Sequence, residues 1–164
     1  MATQIHVAGP VTIKIASPAA GTIDTLGLSQ NGVDITEQKF TVPVHGDAYG
    51  GEQGPPIDIQ HLGMIHIVRF TLTVYDSAIL AKIRAVYAAA TAGELGTMGQ
   101  LAFQDTSAFR LLLDSTNASF ERNYTRVVFR EPQEINMGTI HSKAMCVAEC
   151  HANASGVIYN STMS

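Results

Sequence analysis

The sequence predicts a mainly β fold: an antiparallel β-sandwich or barrel with one flanking α-helix and a long extended inter-strand loop. Three observations lead there. Apolar and polar residues alternate with period two in several separate runs. Only one segment carries apolar residues at helical spacing. Glycine and proline concentrate in one long connection between two strand-like runs. With 164 residues, the chain is expected to form a single domain, residues 1–164, with a sizeable core.

The elements follow in chain order. In "VTIKIAS", Val11, Ile13 and Ile15 share one face, and Thr12 and Lys14 the other. Asn31-Gly32 is a tight-turn pair, so a strand is expected from Val33. It continues through "ITEQKFTVPV", where Pro43 marks an edge or a strand end. The clearest strand is "MIHIVRFTLTVY", Met64 to Tyr75. Met64, Val68, Phe70, Leu72 and Val74 fall on one face, and Arg69, Thr71 and Thr73 on the other. A helix is expected over about 77–92. Asp76 or Ser77 caps its first turn, Ile79, Leu80, Ile83, Val86 and Tyr87 form its apolar stripe, and Gly93 ends it. The glycine-rich "GELGTMG" reads as a linker rather than a phosphate loop, because no Gly-Lys-Ser/Thr follows it. Four more strand-like runs complete the chain: "FRLLLD" from Phe109, "YTRVVFRE" from Tyr124, "SKAMCVAEC" from Ser142 and "GVIYN" from Gly156.

Composition removes several classes of function. Hydrophobic residues make up 46% and charged residues 15%, which is globular rather than disordered. The net charge is -4 and there is no long basic run, which argues against binding nucleic acid by phosphate neutralisation. No apolar run approaches the roughly 20 residues of a membrane-spanning helix. The first residues, "MATQIHVAGP", lack the basic-then-apolar pattern of a signal peptide. Without secretory context, the glycosylation-like triplets at Asn117, Asn123 and Asn160 read as chance.

Chemistry-bearing residues form no constellation. Cys146 and Cys150, with His151 beside them and His141 nearby, lack the close cysteine pairs of a zinc site. On a strand the two thiols share a face roughly 13 Å apart, so they are expected as buried, unpaired thiols. His66 occupies a core position in the long strand, but one histidine makes no catalytic arrangement. No serine carries a nucleophile motif. Asp47, Glu52 and Asp58 lack the spacing and closing glutamate of a calcium loop. We therefore expect no enzyme activity, no cofactor and no metal.

The remaining feature is "GDAYGGEQGPPIDIQHLG", Gly46 to Gly63, with five glycines and two prolines. Connections between paired strands are commonly about two to five residues, and longer ones are usually functional or disordered. Ile57 and Ile59 alternate as in a short strand, and the prolines limit the freedom of the unbound chain. Such an arm suits docking on a neighbouring subunit through Tyr49, Ile57, Ile59 and Leu62; folding back on its own domain is the other outcome.

The order of these pieces resembles the tail tube proteins of tailed bacteriophages. The likeness runs over roughly residues 20 to 90. It rests on Leu26-Gly27 and Asn31-Gly32 before a strand, then a long loop with Asp47, Gly50, Pro55 and Asp58, then Gly63, a long alternating strand and a helix. The apolar, histidine-bearing "MIHIV" departs from the more acidic residues expected there. The resemblance implies a structural virion protein in the tail, assembled in the host cytoplasm as stacked hexameric rings around a DNA conduit. Its long loop would contact the adjacent ring. Other copies of the chain, sheath, tape measure and baseplate proteins would be partners, with DNA only in transit and no membrane. A capsid decoration protein and a neck or tail-completion protein remain as related virion roles, and a soluble ligand-binding or enzymatic sandwich as a different class.

Overall fold

A computed structural model describes residues 4–7, 9–16, 22–47, 50–83, 108–115, 121–129, 134–137 and 142–160. The chain runs through β1 (Gln4–Val7), β2 (Val11–Ala16), β3 (Ile23–Ser29), β4 (Val33–Val44), β5 (Asp58–Leu72), β6 (Val74–Tyr75) and a helix, α1 (Ser77–Ile83). It continues through β7 (Phe109–Ser115), β8 (Glu121–Val128), β9 (Glu134–Met137), β10 (Ser142–His151) and β11 (Tyr159–Asn160). All the ladders are antiparallel.

The strands form one sheet in the order β1-β4-β5-β10-β8-β7-β2-β3-β6, with β9 beside β10 and β11 beside β8. The path comes back on itself. β6 continues β5 after Thr73, yet it pairs with β3 near the other end of the path. Thr73 and Asp76 donate backbone N–H groups to the carbonyls of Leu28 and Leu26, which anchors this crossing. Among the described residues no ladder joins β1 to β6, so the sheet curls around its core without closing.

Period-two alternation decides which side chains enter that core. In β2, Val11, Ile13 and Ile15 are buried while Thr12 and Lys14 are half-buried on the other face. Lys14 donates to Asp114 Oδ2 at 2.9 Å across the β2–β7 ladder. Val33, Ile35, Val68, Phe70, Leu72, Leu111, Leu113, Ala144 and Ala148 extend the same apolar cluster. Each fully buried aliphatic side chain of this kind stabilises the fold by roughly 1.5–3 kcal/mol. Asp76 caps α1 as expected, its Oδ1 accepting from the N–H groups of Ala78 at 2.8 Å and Ile79 at 3.2 Å. Leu80 and Ile83 then enter the core. The remainder of the expected helix 77–92, with Val86, Tyr87 and Gly93, and the linker "GELGTMG" lie outside the described residues.

Two expectations need correction. The loop drawn from Gly46 to Gly63 is shorter, because β5 begins at Asp58; the irregular connection runs over residues 45–57. Its last six residues are strand because β4 is long enough to pair with them, Thr41 with His61 and Val44 with Asp58. Val74 is not a core residue: it is 62% exposed, since the strand breaks at Thr73 and β6 turns away to reach β3.

Candidate functional site

β4 and β5 outrun the rest of the sheet. β1 covers β4 only over Val33–Thr36, and β10 covers β5 only over His66–Leu72. From Glu37 to Val44 and from Asp58 to Ile65 the two strands pair with each other and, among the described residues, with nothing else. At about 3.3 Å per residue this is an arm of roughly 25 Å. Among the described residues, both of its outer edges carry the unpaired alternate N–H and C=O groups of an edge strand. Pro43, which lacks an N–H, sits within it at a position where only an edge strand tolerates it.

The tip is shaped by backbone geometry. Gly50 and Gly51 have φ of 95° and 60°, consecutive left-handed residues that side chains would strain. A single 3-10 turn, Gly51–Gln53, follows, closed by Gly54 N–H donating to the Gly51 carbonyl at 3.1 Å. Ile57 N–H then donates to the Val44 carbonyl at 2.9 Å and restarts the pairing. A register shift beside Phe40 leaves Leu62 as the extra residue of a bulge.

The arm carries the largest group of exposed apolar side chains among the described residues. Ile57 is 55% exposed, Ile59 63% and Leu62 59%. The structure thus places three of the four expected contact residues in the open; Tyr49 lies outside the described residues. Phe40, Val42 and Val44 are also exposed and were not singled out from the sequence. They alternate as core residues do, and only the ladder reveals that no second layer covers them. The signal within reach was the absence of any Lys or Arg from Thr41 to Val68, alongside the acidic Asp47, Glu52 and Asp58.

A polar cluster sits at the root of the arm. His66 is fully buried, directly across from Glu37 on β4. Arg122 donates to Tyr124 Oη at 3.4 Å, and Tyr124 Oη lies 3.2 Å from His66 Nδ1. The hydroxyl and Nδ1 share one hydrogen bond, whose donor is set by the imidazole tautomer. Nε2 faces Glu37 Oε1 at 3.7 Å, beyond hydrogen-bonding distance. Tyr159 covers both rings, its centroid 5.7 Å from His66 and 5.9 Å from Tyr124, with the Arg122 guanidinium 4.3 Å over its ring. Burial lowers the His66 pKa; Glu37 opposes this and Arg122 adds to it. Burial also raises the pKa of Tyr124. Burial thus favours the neutral forms of His66 and Tyr124 at this end of the core, beside Glu37 and Arg122 and across the ladder from Cys150.

Cys146 and Cys150 are free thiols buried in the core, and burial raises the Cys150 pKa. His151 alternates to the opposite face of β10, where its Nε2 lies 2.6 Å from Glu149 Oε1; His141 lies outside the described residues. Among the described residues no three His, Cys, Asp or Glu side chains are grouped to hold a metal ion. No described helix is long and apolar enough to cross a membrane. No family model matches the chain, and no curated protein matches it.

Proposed function

We propose that this chain is a structural subunit that assembles with copies of itself, and that the assembly is the tail tube of a tailed bacteriophage. The observation that carries self-assembly is the arm. It holds six large exposed hydrophobic residues, Phe40, Val42, Val44, Ile57, Ile59 and Leu62, on a two-stranded ribbon whose outer edges no other described strand pairs. A lone two-stranded ribbon is marginally stable in water, and exposed apolar edges favour pairing with another chain. Docking on a neighbour covers both features.

The tube reading is supported by the resemblance over residues 20–90 and by the curled sheet. Joining such sheets edge to edge in a ring removes their open edges. Rings whose two faces are not self-complementary stack head to tail into an open filament. The net charge of -4 suits a conduit that passes DNA without holding it. On this reading the protein resides in the virion tail, its partners are its own copies and other tail proteins such as sheath, tape measure and baseplate, and it performs no catalysis.

Electron microscopy of the purified protein at rising concentration tests the proposal, with light scattering alongside. Rings and tubes are the expected outcome. A monomer at every concentration that also fails to polymerise on a tail-tip or baseplate complex would overturn it.

A further inference from the structure

The outward face of the sheet next to the arm holds a hollow of ≈370 Å³. The β3–β4 turn at Asn31 and Gly32 walls one side, and Met145 and Val147 of β10 wall the other. Its floor follows from the register. Asp34, Arg69 and Val147 stand directly across from one another on β4, β5 and β10, with Thr71 and Met145 forming the next row. Arg69 is exposed, and Met145 is 48% exposed. Lys143, also exposed, lies two residues before Met145 on the same face of β10. The hollow thus sets an apolar wall beside Arg69 and Asp34, with Lys143 beyond Met145 and Glu149 beyond Val147 on the same face of β10.

The arm presents the complementary chemistry. From Thr41 onward it carries Asp47, Glu52 and Asp58 and no Lys or Arg, Lys39 lying nearer its root. Asp58 pairs with Val44 and shares its face, so a carboxylate stands beside exposed aliphatic side chains. We propose that this hollow is the acceptor for the acidic, apolar arm tip of a second copy, with Arg69 and Lys143 facing Glu52 and Asp58, and with Met145 and Val147 against the arm's aliphatic residues. The inference rests on the self-assembly reading and names the surface that the arm meets. Donor and acceptor lie on different parts of one chain, so the contact is heterologous and repeats from copy to copy. Opposite charges fix its register, and like charges oppose it.

Charge reversal tests it. The arm variant Glu52→Lys/Asp58→Lys and the hollow variant Arg69→Glu/Lys143→Glu are made separately and in one chain, and assembly is read by light scattering and electron microscopy. Each variant alone should need at least about tenfold more protein to assemble, the scale of like-charge opposition at an interface. The two variants mixed, and the chain carrying all four changes, should assemble again. Melting temperatures near that of the parent show that folding is intact. Parent-like assembly of the hollow variant overturns the inference while leaving self-assembly standing, as does failure of both the mixture and the fourfold variant to recover. A parent that never assembles removes the self-assembly reading itself, and the acceptor with it.

Discussion

Gly27 has no room for a side chain. A Cβ built there would lie 2.2 Å from the Val74 carbonyl oxygen and 2.9 Å from Tyr75 Cα, and both are backbone atoms of β6. Gly27→Ala must therefore push β6 off β3, at a cost on the order of 1–3 kcal/mol or more. A denaturation midpoint equal to the parent's would show that the crossing yields freely. His66 governs a different property. Burial holds its pKa below its ordinary 6.5, so the unfolded chain takes up the proton more readily than the folded one. The stability due to this residue is complete above about pH 6.5 and declines as the pH falls below it. His66→Gln should flatten that part of the profile. Chemical denaturation of parent and variant at pH 7.5, 6.5 and 5.5 checks this, and parallel profiles would count against it.

At the scale of elements, the arm stands apart from the core that the rest of the sheet builds. The apolar core cluster contains no residue between Ile35 and Val68, and only Met64 packs against its rim from that stretch. Ile57→Asp with Ile59→Asp should consequently leave the melting temperature within about 2 °C of the parent, since surface changes usually fall within ~0.5 kcal/mol. The same double variant should suppress assembly, because each aliphatic side chain buried on association contributes roughly 1.5–3 kcal/mol. Tubes of normal appearance would remove the arm from the interface. Loss of folding would return it to the subunit's own core. Ile57 already closes over Gly46, where an added Cβ would sit 3.0 Å from Ile57 Cδ1. This local packing organises the tip without covering it.

At the scale of the whole molecule, one core joins β2, β3, β4, β5, β7, β8, β10 and α1. Cys146 and Cys150 lie inside it as free thiols. Their modification by a thiol reagent should therefore track global unfolding, with both sites reacting at one rate. Mass mapping after timed labelling checks this. Early reaction of either thiol would show that β10 opens independently. A Cys146–Cys150 disulfide in unreduced protein would contradict the strand geometry, which holds the two well apart.

The fold class was legible because alternation is a local property. Val11-Ile13-Ile15, Val68-Phe70-Leu72 and the Phe109 run each declare a strand with one buried face, and Asp76 declares the start of the helix. β3 was passed over because Gly27 breaks its alternation, and the crossing that requires glycine comes from residues nearly fifty positions away. Ile57, Ile59 and Leu62 were recognisable as surplus to a turn, since a solvated connection has no use for three large aliphatic residues. Phe40, Val42 and Val44 were not, because alternation states that a strand has an apolar face and is silent on whether anything covers it. His66 was placed in the core by parity alone, whereas its partners Glu37, Tyr124 and Arg122 arrive from other strands. By itself the sequence determined the strands, the cap and the unusual arm, all of which depend on neighbours a few residues apart. Only the tertiary structure decided which strands end early beside the arm and which face of β10 holds the thiols within the core. Those outcomes depend on pairing register between distant segments, and register is settled when the whole sheet forms around one core.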